Sequence, residues 1–208
     1  MKFVLFVEGH TEKCAVAPFL KRWLDPRLAQ PIGMKVVRFE GWAHYQSELA
    51  KKVALNLAGE SGQDIIAGFG LLDLYGPTFY PADKRDVQDR RRWAQSHFEK
   101  QVNNPRFAQH FAMHELEAWV LADPQILPAE VRGALPGKVA QPESVNFDEP
   151  PAKLLARLYR AKRKRTYGKV IDTTDLLRRL DPAVAYEKCP ALKALLDDML
   201  ARAKAAGL

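Results

Sequence analysis

An α/β fold with a parallel sheet, helices on both of its faces and a helical appendage at the C-terminal end is what this sequence predicts. Three observations predict it. Apolar stretches and helix-periodic stretches alternate four times between Phe3 and Leu121, the signature of strand–helix units. Two of those stretches, Phe3–Val7 and Ile65–Leu72, are nearly continuous in apolar residues, as strands covered on both faces require. Beyond Pro124 the alternation stops, and a proline-punctuated stretch gives way to helical periodicity alone.

Each element has its own warrant. Phe3–Val7 is the first strand. Thr11 is placed to cap the helix after it, in which Ala15, Val16, Phe19, Leu20, Trp23 and Leu24 recur at helical spacing, and Asp25-Pro26 ends it. Met34–Phe39 is the second strand. Gln46–Leu57 is a helix with Leu49, Val53 and Leu57 on one face. Ile65–Leu72, interrupted by Gly68 and Gly70, is the third strand and runs into Asp73. A turn-rich stretch, Gly76–Pro81, leads to a polar helix over Asp86–Val102. Phe107–Met113 is the fourth strand, and the helix after it contains Glu115 and Trp119. Pro128, Pro136, Pro142, Pro150 and Pro151 mark an irregular segment. Helical patterns resume over Lys153–Lys162, Thr173–Leu180 and Leu192–Ala206. The chain thus divides into an α/β core, residues 1–122, and residues 123–208, an irregular segment plus helices packed on that core.

Composition narrows the function. The 208 residues suit one domain with an appendage, and an apolar content of 47 % supports a core of ordinary size. No apolar run approaches the ~20 residues that span a bilayer, and the N-terminal run is too short for a signal peptide, so the reading is a soluble cytoplasmic protein without a membrane partner. Cys14 and Cys189 form neither a C-x-x-C nor a zinc spacing; Cys14, inside a helical pattern, is expected to be a buried thiol. The formal charge is +7, from 32 basic and 25 acidic residues, which favours a polyanionic partner. Two clusters carry much of it: Arg90-Arg91-Arg92, and the denser set Arg160, Lys162, Arg163, Lys164 and Arg165, a candidate for the backbone of a nucleic acid. Either cluster alone reads first as a solvated helix face; the two together, with the net excess of positive charge, raise phosphate-backbone contact to an equal reading.

The acids are more specific. In open α/β sheets ligands bind off the carboxyl ends of the strands. Glu8 ends the first strand, Asp73 ends the third, and Glu115 and Glu117 follow the fourth. Topology alone brings these to one edge. Carboxylates are hard ligands that suit Mg²⁺ or Mn²⁺, and acids this close repel without a cation. Each also has a bland use: Glu8 and Asp73 as turn residues, Glu115 as a helix-dipole partner, Glu117 on an exposed face. There is no G-x-x-x-x-G-K-[ST], no G-x-S-x-G and no H-E-x-x-H, since Ala118 stands fourth after His114.

Here a resemblance adds to the residues. FVEGHTE after an apolar strand resembles the first motif of the Toprim fold, found in topoisomerases, bacterial primases and overcoming-lysogenization-defect (OLD) nucleases. VEGHTE, LLDLYGPTFYP, HELEAWVLAD, PPAKLL, YGKV and CPALKALLDDML, in that order, resemble a bacterial domain-of-unknown-function family, number 4276, nearly end to end. The resemblance implies a three-layer Toprim-like core with Glu8 as general acid/base or metal-ordering carboxylate and Asp73 as a metal ligand. The Toprim Asp-x-Asp reads Asp73-Leu74-Tyr75 here, so either Glu115 and Glu117 supply the missing acids or the site is weakened. Glu12 could face the same cleft or serve as a capping partner near Thr11. Lys169, after Tyr167-Gly168, is a candidate catalytic cation; Lys153 suits a solvated or backbone-binding role. The implied function is a Mg²⁺- or Mn²⁺-dependent nuclease on DNA or RNA. With no P-loop in the chain, any ATPase would be a separate protein, as in a phage-defence module. The competing reading is a non-catalytic subunit that binds nucleic acid or an ATPase.

Overall fold

The computed structural model describes residues 1–58, 62–144 and 149–208. Four parallel strands, β1 (Lys2–Val7), β2 (Gly33–Arg38), β3 (Ile65–Asp73) and β4 (Phe107–Ala112), form one sheet in the order β2-β1-β3-β4. Helices α1 (His10–Leu24), α2 (Trp42–Leu57) and α3 (Val87–Val102) connect them. After β4 come α4 (Glu117–Leu121), α5 (Ala129–Arg132), α6 (Pro151–Arg163), α7 (Lys169–Arg179), α8 (Pro182–Lys188) and α9 (Pro190–Ala205).

Strand periodicity of two divides the core into two layers of helices. Phe3, Leu5 and Val7 of β1 point to one face and pack with Phe19 and Leu20 of α1, Trp119 of α4 and apolar residues of α6, α7 and α9. Val4 and Phe6 point to the other face and meet Tyr45, Leu49 and Val53 of α2 and Phe98 of α3. Phe3 and Phe69 touch edge-on at 5.0 Å, and Phe19 stacks on Trp119 at 5.6 Å. The larger apolar cluster therefore holds side chains from both the α/β core and the helices that follow it. Two polar ties reinforce that packing. His110 Nε2 on β4 lies 3.1 Å from Asp198 Oδ2 on α9. Arg22 on α1 donates to the carbonyls of Leu177, Arg178 and Leu180, holding the C-terminal end of α7, where carbonyls lack intrahelical partners.

The expected elements recur with shifted ends, and four expectations change. Thr11 does not cap α1. Gly9 is the N-cap, without a side-chain bond, and Thr11 is buried inside the first turn. Glu115 lies outside α4, which begins at Glu117, because its carboxylate is used elsewhere, accepting the Ala152 N–H of α6 at 2.9 Å. Cys14 is exposed, on the solvent side of α1, and Cys189 is the buried thiol. Helix α8 was not anticipated; Asp181 caps it through the Ala183 N–H, with Pro182 at its first position.

The glycines that interrupt the third strand have a packing reason. A Cβ at Gly70 would run into the Tyr45 hydroxyl and Gln109 Oε1, which are hydrogen-bonded to each other at 2.7 Å in the core. Gly70→Ala is therefore expected to break that bond or displace β4. Overpacking and an unmade buried hydrogen bond together cost about 2–4 kcal/mol. Urea denaturation of the two proteins reads it, and an unchanged midpoint would contradict the crowding.

Candidate acidic site

Strand order sets the place of the site. The chain leaves β1 for β2 on one side and then crosses to β3 on the other, so the switch point lies between β1 and β3. Val7 pairs with Leu71 and Asp73 with Ala112, so the residues after β1, β3 and β4 emerge at nearly the same level. Glu8, Asp73 and the Glu115–Glu117 segment leave the sheet there.

Lys169, the first residue of α7, fills the space between them. Its Nζ is 3.5 Å from Asp73 Oδ2, 3.5 Å from Glu115 Oε1 and 3.9 Å from Glu117 Oε2. Among these, only the Asp73 contact has hydrogen-bond geometry, and it is long. Glu12 joins as a further acid: it is buried, and its charge pushes the protons of both Glu8 and Asp73 upward. A Cβ on Gly9 would sit 2.8 Å from Glu12 Oε2, so the glycine after Glu8 leaves room for this carboxylate.

Burial governs the electrostatics. Glu8 is raised to about 7, first by desolvation and then by Glu12, against the pull of Lys169 and of the Trp42 and Asp73 backbone amides. Glu117 is also raised to about 7, by burial first, with Lys169 opposing. Asp73 is held well above the usual carboxylate range by burial and by its acidic neighbours. Lys169 moves upward because the surrounding carboxylates outweigh its own desolvation.

Within this cluster Glu8 Oε2, Asp73 Oδ1 and Glu117 Oε2 are buried and accept no hydrogen bond. Such orphans are costly in a folded protein and call for a partner. Among the described residues, no three His, Cys, Asp or Glu side chains are already gathered into a metal-binding group; the acids are spread around the ammonium. The chemistry of the donor set nonetheless fits a hard divalent cation, being all carboxylate oxygen with three lone donors unspent.

The structure thus brings together Glu8, Asp73, Glu115, Glu117 and Lys169, and adds Glu12. Sequence reading missed the support behind Glu117. Thr173 Oγ1 donates to Glu117 Oε1 at 2.8 Å, and the Tyr167 hydroxyl is 2.7 Å from Thr173 Oγ1, all of it buried. The available signal was spacing, since Thr173 stands one helical turn after Lys169.

The basic segment divides. Arg165 pairs with Asp172 through two bonds of 2.9 and 2.7 Å and lies over the Tyr159 ring. Arg163 faces Glu130 at 3.9 Å. Arg160, Lys162 and Lys164 are exposed and, among the described residues, have no ion-pair partner. Lys153 lies with its Nζ 5.9 Å from the Tyr75 ring centroid. Among the described residues no helix is long and apolar enough to cross a membrane.

Comparison with known proteins adds a family. No curated protein gives a significant match. The C-terminal region of the Burkholderia pseudomallei OLD protein is a structural neighbour, with a TM-score of 0.44, 17% sequence identity, and coverage of 93% of this chain and 98% of that one. The model of the family described as Domain of unknown function (DUF4276) matches residues 7–200, from the last residue of β1 almost to the end of α9. The chain belongs to the DUF4276 family.

Proposed function

We propose that this protein is a divalent-metal-dependent nuclease that hydrolyses phosphodiester bonds of DNA or RNA, with Mg²⁺ or Mn²⁺ held by Glu8, Asp73, Glu115 and Glu117. One observation carries the reading: three buried carboxylate oxygens, from the ends of β1 and β3 and the start of α4, accept no hydrogen bond at the sheet edge where ligands bind. A cation satisfies them, and the motif resemblance to Toprim proteins supplies the reaction class. When bound, the ion would make water a stronger nucleophile at neutral pH and polarise a phosphoryl oxygen.

The chain's own residues do the rest. Glu8, with a proton held until about pH 7, can take a proton from an attacking water or return one to a leaving oxygen. The Lys169 ammonium, still partly exposed to solvent, stabilises negative charge on a phosphate oxygen that enters the cleft. Lys169 belongs to the helical appendage and the acids to residues 1–122, so both parts build the site. Arg160, Lys162 and Lys164 hold the backbone of the nucleic acid; Arg163 and Arg165 join only by leaving Glu130 and Asp172. Motif resemblance to OLD-type nucleases extends the proposal to a separate ATPase that licenses cutting, in a phage-defence setting.

A second reading has its own support. Lys169 already neutralises Asp73, Glu115 and Glu117, and Tyr75 stands where Toprim proteins carry a second acid. The same cluster then serves as an internal ion network in a non-catalytic subunit that binds nucleic acid or an ATPase. Incubating the protein with single- and double-stranded DNA and RNA, with Mg²⁺, with Mn²⁺ and with a chelator, separates the two. Metal-dependent cutting that Glu8→Gln abolishes supports the nuclease. If wild type cuts nothing even with the ATPase added, the binding subunit stands.

A further inference from the structure

The loop beyond Asp73 has a feature that the acid cluster does not use. Tyr75 is 40% exposed, the only aromatic among the exposed large apolar side chains of the described residues. Its backbone is nonetheless fixed. The Leu74 N–H donates to Ala112 O at 3.1 Å, the Tyr75 N–H donates to His114 O at 2.9 Å, and the Tyr80 hydroxyl donates to Leu74 O at 3.0 Å. The loop after β3 is therefore tied to the segment after β4, and the exposed ring sits on a rigid base. Gly76 follows at φ +110°, a region that suits glycine, and turns the chain aside.

A cleft of about 390 Å³ opens at that turn, lined by Tyr75, Pro77, Tyr80, Arg90 and His114 among others. Its size is within the ~300–1,000 Å³ of small-ligand clefts. Cations lie over its aromatic walls. The Arg90 guanidinium is over the Tyr80 ring, 5.4 Å from its centroid, with its Nε donating to Lys84 O at 2.8 Å. The Lys153 ammonium on α6 is over the Tyr75 ring at 5.9 Å, so a base takes that face by displacing the ammonium toward a phosphate.

We propose that this cleft seats one unstacked base of a single-stranded nucleic acid against the Tyr75 ring, with Lys153 and Arg90 beside the adjoining phosphates. The inference rests on the nucleic-acid reading of the acid cluster and specifies its substrate. An exposed aromatic face beside positive charge is what single-stranded nucleic acid uses, because its bases offer their faces for stacking. A duplex buries those faces and would have to extrude a base to enter. Tyr75 is two residues beyond Asp73, and Lys153, over its ring, follows Ala152, whose N–H donates to Glu115, so a base seated there adjoins the acid cluster. Tyr75, at the position of the second Toprim acid, then acts as a substrate-positioning residue.

The test uses the full chain carrying Glu8→Gln, with Mg²⁺, and fluorescein-labelled single strands and duplexes of the same sequence, read by anisotropy. Adding Tyr75→Ala should weaken single-strand binding roughly 5- to 100-fold, the range of one lost base–aromatic stack, and leave duplex binding unchanged. Tyr75→Phe should retain tight binding. In a series of single strands with one abasic position moved along them, one position should cost the Tyr75 protein the same factor. At that position Tyr75→Ala should lose nothing more, the mark of a direct pair. Equal loss on both substrates, or no loss on either, overturns the base seat. If wild type still cuts while Tyr75→Ala cuts with an unchanged KM, the seat fails and the nuclease reading survives. Binding of neither substrate by these proteins or by wild type, with no cutting by wild type, defeats both readings together.

Discussion

Replacing Lys169 with methionine should destabilise the protein without metal and make its stability strongly dependent on Mg²⁺. Lys169 Nζ faces Asp73, Glu115 and Glu117 within 3.9 Å, and the three side chains are nearly or fully buried. Methionine keeps the bulk of the stem and removes the charge. The remaining acids would then repel in a setting with little water to screen them. Breaking a fully buried ion pair costs about 3–5 kcal/mol. The Lys169 side chain is 43% exposed, so solvent screening brings the expectation down to about 1–3 kcal/mol. Part of even that is relieved when an acid takes up a proton instead of staying charged. Mg²⁺ should compensate, since a cation bound by the folded state alone adds about 2.7 kcal/mol at a hundredfold excess over its Kd. Thermal or urea unfolding with a chelator and with a Mg²⁺ series measures both effects. Activity would show a separate loss of roughly 10²–10³-fold, the size seen when one preorganised charge-stabilising group is removed. A variant as stable as wild type in chelator, and no more dependent on Mg²⁺ than wild type is, would show that the acids do not depend on Lys169.

What the sequence made legible follows from what each signal measures. The continuous apolar runs Phe3–Val7 and Ile65–Leu72 could be read because a doubly covered strand needs apolar residues on both faces, and both are strands of the central sheet. The meeting of Glu8, Asp73, Glu115 and Glu117 was accessible for the same reason: parallel strands all end on one edge, so strand-terminal acids converge without any knowledge of distance. Local capping was not. Thr11 is a good cap by composition, yet helix α1 begins at His10 and buries it, because tertiary packing outweighs a cap preference of about 1 kcal/mol. Glu115 carried a helical pattern but points its carboxylate at α6, a segment more than thirty residues away that no local window contains. Cys14 was misplaced because the period identifies the helix, while a single residue at the edge of the apolar stripe can fall on either side. The Tyr167–Thr173–Glu117 chain was hidden for a different reason. Threonine and tyrosine are ordinary helix-surface residues until the fold brings a buried carboxylate against them.

Glu8→Gln is expected to abolish catalysis and, at pH 8 in the absence of metal, to make the protein more stable. The two effects have one cause. Burial, with Glu12 beside it, raises the Glu8 proton affinity to about pH 7 from an ordinary value of 4.5. A raised carboxylate binds its proton more tightly in the folded chain than in the unfolded one. Its contribution to stability is therefore full below about pH 4.5, declines as the pH rises toward about 7, and is lost above that. A shift of this size corresponds to about 3 kcal/mol. Glutamine has similar shape and no charge to desolvate, so above pH 7 the variant avoids that penalty. The pull of Lys169 and of the Trp42 and Asp73 amides is already contained in that net shift, so the expected gain is up to about 3 kcal/mol. Glu117 and Asp73 are raised as well, so the variant should keep a shallower decline over the same window. Urea unfolding of both proteins from pH 4.5 to 8, in chelator, gives the two curves: together at the acid end and diverging toward neutrality. Mg²⁺ competes with those protons, so its affinity for wild type should climb across the same interval and be weaker in the variant. A Glu8→Gln protein that is less stable than wild type at pH 8 would overturn that account, because it would make the glutamate at the end of the first strand a structural residue.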